Sequence, residues 1–430
     1  MLATFVYFVL PVILLCIGLP IYLILLIASL VAVVWVADVP LTTIQTNMFG
    51  GLDNFPLLAI PFFILAGEIM GQGGIARRVI VWVTALTGSA RGSLPITVIA
   101  SSELFGAMSH TSVGTVAAVG RLVYPALRDG GYGDRFTVSL IASSGAIAVV
   151  IPPSIAMILY SMSAQQSAVD LFTAGIVPSL LIGLVDAIYV VIYSRARAVK
   201  VGAPASWPKI RKATREAGWA LGTPVVIFGG IYGGIFTPTE AAGVAAIYSI
   251  VVTMFIYRDI GWRQLWQITL ASVFLISQIL IIVTAAGIYS WLLTTSGIPQ
   301  HIVAAMTALN LHPWETLLIV NLGLLLVGSF LEPPAAIMIL TPLLLPLVQA
   351  AGVHPIHFGI IMAVNLSIGM YTPPFGLNLF ASQAIFRQPL GSIYRGVLPF
   401  VAINFITLMV ISYFPAISMG LVNLGSGPGG

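Results

Sequence analysis

Charge is what this sequence has least of: 7% of its 430 residues are Asp, Glu, Lys or Arg, against 59% hydrophobic. Soluble domains carry about 25% charged residues. Thirteen acids and seventeen basic residues are too few to coat a water-facing surface of this size. That excludes a cytosolic enzyme and a nucleic-acid-binding module, and places the chain in a bilayer. The net +4 is then a topology signal, because sparse cations in membrane proteins collect in cytoplasmic loops. Cysteine is nearly absent as well. Cys16 stands alone in an apolar stretch, so it has no partner for an internal disulfide or a thiolate metal site and reads as packing. The first apolar stretch lacks a basic n-region and a small-residue cleavage site, so no removed signal peptide is expected. A nucleotide-binding loop is missing too. Gly229-Gly230-Ile231-Tyr232-Gly233-Gly234 has the small-xxx-small spacing that lets helices approach, and ATP is not expected as the energy source.

What is present is a repeat. At an offset of 221 residues Ile151-Pro152-Pro153-Ser154 falls on Thr372-Pro373-Pro374-Phe375, and Gly175-Ile176-Val177-Pro178 falls on Gly396-Val397-Leu398-Pro399. The same offset carries Pro125 onto Pro346 and Gly131 onto Gly352. The halves are 1–200 and 216–425, joined by a basic stretch over 201–215 whose surroundings hold Arg195, Arg197, Lys200, Lys209, Arg211, Lys212 and Arg215. It reads as a cytoplasmic linker.

Each half reads as three apolar helices, a two-armed apolar segment, a helix interrupted by Pro-Pro and a final helix. The segments are 2–18, 20–36, 55–72, 93–127, 136–164 and 170–195, then 217–235, 239–257, 266–294, 313–349, 357–385 and 393–419. An arm of about 15 residues reaches about 22 Å, short of a hydrocarbon core of about 30 Å, so the two-armed segments read as re-entrant hairpins. Five crossings per half turn the second half upside down, an inverted repeat. With the linker inside, both termini lie outside. Arg77, Arg78, Arg91, Arg128, Arg135, Arg258, Arg263 and Arg387 then fall at cytoplasmic ends or loops, Arg121 and Arg395 lean to the same side, and the outside segments 38–54, 164–170, 236–240, 295–312 and 350–356 hold no Lys or Arg. A miscounted helix would have scattered these cations. The expected fold is an all-α polytopic membrane protein of two inverted-topology repeats, each with five crossings and a re-entrant helical hairpin.

Broken helices are tolerated in a membrane only where they are buried in protein or line a polar cavity. The Pro-Pro pairs unwind the chain near Val150-Ile151 and Tyr371-Thr372, because proline lacks the helical N–H and drives its predecessor out of the α region. The upstream halves end in free carbonyls that suit a cation. The downstream halves, with proline expected in the first turn, aim positive dipole ends at an anion. The hairpin tips face these breaks. Tip one, Gly106 through Gly114, carries Ser109, His110, Thr111 and Ser112, and tip two, Gly328 through Pro334, carries Glu332. Hydroxyl and carboxyl oxygens suit a hard cation such as sodium, although Ser and Thr also pack helices and Glu332 also suits a cap of the second arm. Intramembrane acids default to function. Ser143 and Ser144 precede the first break and Asn365 and Ser367 the second, with Ser144 falling on Asn365 at the same offset. Candidate solute contacts are His110, Ser144, Pro153, Ser154, Asn365, Ser367 and Pro374. Glu103 and Asp186 lie deep, suited either to carrying a proton or to a structural hydrogen bond. Glu68 is expected to reach the interface, and His301, His312, His354 and His357 to sit near the outside. Residues 77–91 read as an amphipathic arm along the membrane, with 299–309 as its counterpart.

Phe63 through Met70 (FILAGEIM), Gly229 through Tyr248, Ile151 through Ser154, Leu171 through Pro178 and Tyr371 through Phe380 (YTPPFGLNLF) together resemble the large membrane subunit of TRAP (tripartite ATP-independent periplasmic) transporters. The likeness runs over nearly the whole chain. It implies a sodium-driven secondary importer of organic acids, such as C4-dicarboxylates or sialic acids, in the bacterial or archaeal inner membrane. It implies two partners, a soluble periplasmic substrate-binding protein and a small four-helix membrane subunit, here separate, and no nucleic acid. It also implies an elevator, with scaffold 1–75 and 216–294, transport domain 93–195 and 313–420, and arm helices 76–92 and 295–312. The Na+ sites it implies are Ser109, Thr111 and Ser112 with the carbonyl end near Val150 and Pro152, and Gly328 and Glu332 with Asn365, Gly369 and Thr372. One departure is that His110 stands where the family's first tip carries glycine. Two other readings stand beside this one: a divalent-anion/sodium symporter-like carrier that needs no binding protein, and a membrane enzyme or scaffold with a buried Glu/His site.

Overall fold

The computed structural model describes residues 2–37, 39–197, 205–309 and 311–425, all of whose regular elements are helical. Helices satisfy every backbone group within one segment, as a bilayer demands. Leu2–Thr4 (α1), a π turn and Leu10–Cys16 (α2) make one short apolar helix that Gly18 and Pro20 terminate, and Ile21–Trp35 (α3) follows. Thr42–Leu52 (α4) is helical where an outside loop was expected, because its hydrophobic side packs on the later helix Trp262–Thr295. Ala59–Gln72 (α5) leads through the left-handed Gly74 into Ile75–Thr87 (α6). Ser93–Ser109 (α7) and Ser112–Asp129 (α8) form the first hairpin. Asp134–Ala146 (α9) and Ile155–Ser163 (α10) are the halves of the first interrupted helix, and Ala168–Ala196 (α11) follows.

In the second half Trp207–Tyr232 (α12), Pro238–Ile250 (α13) with a π extension, Trp262–Thr295 (α14) and Ile298–Ala308 (α15) precede the hairpin Pro313–Gly328 (α16) and Pro333–Ala350 (α17). Pro355–Gly369 (α18) and Leu377–Phe386 (α19) are the second interrupted pair, then Leu390–Tyr413 (α20) and Ala416–Gly425 (α21). The start of α12 extends ten residues further back than expected, so Lys209, Arg211, Lys212 and Arg215 ride on helical turns; Lys200 and 201–204 lie outside the described residues. The last helix, expected as one piece over 393–419, breaks at Phe414-Pro415, where proline cannot continue it. Among the described residues six helices are long and apolar enough to cross a bilayer, among them α11, α14, α17 and α20.

Packing exchanges partners between the halves: α9 lies on α20, and α11 on α18. A second group of contacts joins α14 to α3, α4 and α5, and α5 to α13. Between these groups α5 touches α7, and α14 touches α17. The helix after each break is therefore buried against the opposite half, and both hairpins lean on helices that carry no break.

Candidate site at the hairpin tips and helix breaks

The first hairpin turns on His110 and Thr111 alone. His110 takes a left-handed φ of 55° and closes α7, and Thr111 is extended and opens α8. The second hairpin turns over Ser329 to Glu332, and Pro333 and Pro334 start α17, where a missing N–H costs nothing. At the breaks the chain is non-helical over 150–154 and 370–376, where the proline pairs led us to expect it. The downstream halves begin later than expected, at Ile155 and Leu377, because the residues directly before them, Ser154 and Gly376, carry the non-helical ψ values of 133° and 122°. The prolines thus lie inside the breaks, both pairs cis, and not in a first turn. Ser154 Oγ spans its break by donating to the Val149 carbonyl at 2.5 Å.

Hydrogen bonds knit tips to breaks. His110 Nδ1 lies 2.6 Å from the Pro153 carbonyl, so that nitrogen carries the proton and donates, and the ring meets Phe63 edge-on. Ser109 Oγ is 2.9 Å from Thr115 Oγ1. Ser112 Oγ donates to Asn378 Oδ1, and Asn378 Nδ2 donates to the Ala142 carbonyl, which ties the first tip to both interrupted helices. Ser367 Oγ donates to the Ala146 carbonyl at 2.7 Å, joining the two interrupted helices directly. Asn365 Nδ2 donates to the Asn321 carbonyl and Oδ1, both at 2.9 Å. Thr372 Oγ1 donates back to the Ile368 carbonyl, and the Pro374 carbonyl accepts from Tyr394. The second tip meets its break backbone to backbone: a methyl added at Gly369 would lie 2.7 Å from Gly328 Cα. The buried oxygens Ser144 Oγ and Asn365 Oδ1, at matched positions of the two halves, have no partner among the described residues. An unpaired buried acceptor is costly unless something fills it.

Both tips open on one cavity of about 490 Å³. His110, Thr111, Ser112, Ser154 and Glu332 face it from one side, and Ile64, Glu68 and Gln278 from α5 and α14. Its lining holds no Lys or Arg among the described residues. A second cavity of about 710 Å³ shares Glu68, Thr111 and Gly114 with the first and runs to Arg77, Arg121 and Gln264. Glu332 is exposed to the cavity and makes no hydrogen bond or ion pair among the described residues, so it neither caps α17 nor lies buried. Of the expected solute contacts, His110 and Ser154 reach the cavity wall. Ser144, Asn365 and Ser367 lie buried beneath it, Pro153 is buried behind His110, and Pro374 faces away, beside Tyr394. Val150 and Pro152 are buried in the first break.

Several residues escaped sequence reasoning. Glu68 lines both cavities and accepts from Gln72. His357 is buried, held by Ser418 Oγ at 2.6 Å and the Ser412 carbonyl, because α21 folds back over it. Asn321, Asn378 and Gln278 were overlooked, and the signal available was an amide inside an apolar helix, which is expensive unless partnered.

A family model described as tripartite ATP-independent periplasmic transporter, DctM component, matches residues 8–417. The chain is 41% identical over 381 residues to the C4-dicarboxylate TRAP transporter large permease protein DctM of Pseudomonas aeruginosa, covering 89% of each. It is 39% identical over 406 residues to the isethionate TRAP transporter permease protein DctMQ of Oleidesulfovibrio alaskensis, covering 94% of this chain and 64% of that one. Its fold is similar to that of the Alcanivorax borkumensis YdaH transporter, with a TM-score of 0.66 at 15% identity over 96% of this chain and 99% of the other.

Proposed function

Because the chain belongs to the DctM component of the tripartite ATP-independent periplasmic transporters, we propose that it is the large membrane subunit of a sodium-coupled importer of organic acids, fed by a soluble binding protein. It works with a small membrane subunit, which the fused name DctMQ of one relative brings to mind as a neighbour in the same assembly. Names that include C4-dicarboxylate and isethionate extend the solute class from carboxylates to sulfonates. Halves 1–200 and 216–425 are read as inverted repeats around the linker 201–215, with scaffold 1–75 and 216–294, arms 76–92 and 295–312, and a moving body of 93–195 and 313–420.

The observation that carries this reading is the cavity bounded by both hairpin tips, with no Lys or Arg among its described lining residues, together with the buried, unpartnered oxygens of Ser144 and Asn365 in the helices that lead into the two breaks. Sodium takes the place of a basic residue. One ion sits among Ser109, Thr111, Ser112, Ser144 and the carbonyl end at Val150 to Pro152. Another sits among Gly328, Glu332, Asn365, Gly369 and Thr372. The ions supply the positive field that holds an anion against His110 and Ser154. Since the two cavities share Glu68, Thr111 and Gly114 in their walls and the second reaches Arg77 and Arg121, on the side assigned to the cytoplasm, the conformation is read as inward-facing, and the basic rim draws the released anion into the cytoplasm.

The test is reconstitution of the chain with its small subunit in proteoliposomes. Solute should accumulate only with an inward sodium gradient and the binding protein. Accumulation without any binding protein would point to the symporter-like carrier, and turnover of solute without accumulation to an enzyme; either overturns the proposal.

A further inference from the structure

Tyr371 of the second break belongs to a polar cluster that the sodium sites do not use, in which Asp186 and Asn404 are buried and Glu103 is half-buried. The Glu103 carboxyl of α7 rests on the backbone of Gly183 in α11: a methyl there would overlap Glu103 Oε1 and lie 2.6 Å from its Cδ. One turn further along the same face is Asp186, fully buried and within electrostatic reach of Glu103. From α20, Asn404 Nδ2 donates to Asp186 Oδ1 at 3.1 Å and to Tyr371 Oη at 2.9 Å. Asp186 Oδ2 and Asn404 Oδ1 are buried with no partner among the described residues.

Among the described residues no cation pairs with these acids. Among the described residues the ion pairs are Arg78 with Asp259, Arg128 with Asp134, and Lys212 with Glu216. Arg135 donates to the Arg395 carbonyl, and Arg77 and Arg121 line the second cavity. The other titratable groups that feel Asp186 are Tyr371 and Tyr189, neither of them cationic. His357 and Tyr160, on the remaining helices packed against α11, are bonded to Ser418 and to the Pro355 carbonyl. Two like charges in the interior without a counter-ion cannot both persist.

We propose that Glu103 and Asp186 together bind a proton, at a site separate from the sodium sites and linked to the second helix break through Asn404 and Tyr371. Gly183 leaves the space that the Glu103 carboxyl occupies, one helical turn from Asp186. While the proton is held, the cluster is neutral and the Asn404 amide can stay between Asp186 and Tyr371. When it leaves, the bare carboxylates repel and compete for the amide, and the change reaches Tyr371, the residue immediately before Thr372 in the break. That this alters uptake rests on the function proposed above; that the proton is there does not.

Infrared spectroscopy of the complex of this chain with its small subunit tests the site without transport. At neutral pH a protonated carboxylic-acid carbonyl band that shifts on deuteration is expected, and is lost in the Glu103→Gln/Asp186→Asn double variant. An undiminished band overturns the proposal. Should the double variant fail to fold, Asn404→Leu keeps both acids and removes the hydrogen bond to Asp186 Oδ1, so the band should move to higher wavenumber; an unmoved band overturns the assignment. Radioactive sodium binding should be unchanged in Asp186→Asn, and a loss of bound sodium would make this a metal site instead. In proteoliposomes wild-type uptake should fall as pH rises and the Asp186→Asn profile should be flat. Coincident profiles beside an intact infrared result would refute the link to the break while leaving the proton.

Discussion

Gly369→Ala probes the contact on which the second proposed sodium site depends. An alanine Cβ at this position would lie 2.7 Å from both the Cα and the carbonyl oxygen of Gly328, and ordinary contact begins at 3.4 Å. Because the obstructing atoms are backbone, no rotamer change relieves them. The tip must retreat by more than about 0.7 Å from the break, since the Gly328 carbonyl carbon lies closer still, and overpacking of this kind costs about 1–3 kcal/mol. If the ion draws the tip onto the break, the cost falls on the ion-bound state, since the ion-free tip is free to back away. At about 1.4 kcal/mol per tenfold, the half-saturating sodium concentration should rise by about 5- to 150-fold. The assay is sodium activation of solute uptake by the reconstituted complex with saturating binding protein. Gly391→Ala is the control, because a methyl there meets nothing within 4 Å, and its curve should match wild type. A folded Gly369→Ala protein with unshifted sodium activation would refute the reasoning, since the tip would then have no part in holding the cation.

Thr111→Val replaces a hydroxyl that faces the cavity, makes no hydrogen bond among the described residues and lies over Gly114, so the fold should survive while sodium activation weakens. Asn365→Ala removes the donor to Asn321 and the orphaned oxygen together; we expect about 1–3 kcal/mol of lost stability and weaker sodium dependence, and wild-type sodium curves in both variants would sink the assigned sites. In His110→Gly the lost bond to Pro153 and edge contact with Phe63 are each worth about 1 kcal/mol, and relief of the left-handed backbone returns about as much. The net change in thermal stability should therefore be small while the KM for solute rises, and an unchanged KM would show that the ring does not shape the cavity wall. A cleavable tag placed after Gly430 should be cut from the periplasmic side of intact cells, and cutting only from the cytoplasm would contradict five crossings per half.

Sequence and structure met at the breaks because proline acts on its own residue and the one before it. Ile151-Pro152-Pro153 and Thr372-Pro373-Pro374 cannot continue a helix wherever they are placed, so the unwound stretches were legible without any tertiary information. Low charge and long apolar runs announced the bilayer for the same reason: each residue's transfer cost is its own. The start of α12 and the helix α4 were not legible, since their ends are decided by polar residues near the interface and by packing on α14.

The sequence by itself determined the class of protein, the family likeness, the places where helices fail and the set of polar residues able to meet an ion. Tertiary structure alone decided which of those residues meet. It set Gly369 on Gly328 and Ser367 on Ala146, put Asn378 between Ser112 and Ala142, drew Glu68 and Gln278 into the cavity wall and laid Glu103 across Gly183 beside Asp186. The reason is physical. A backbone restriction is carried by a residue and its neighbour, whereas a hydrogen bond or a close glycine contact depends on segments up to 282 positions apart in the chain, and their meeting is settled only when the whole bundle packs.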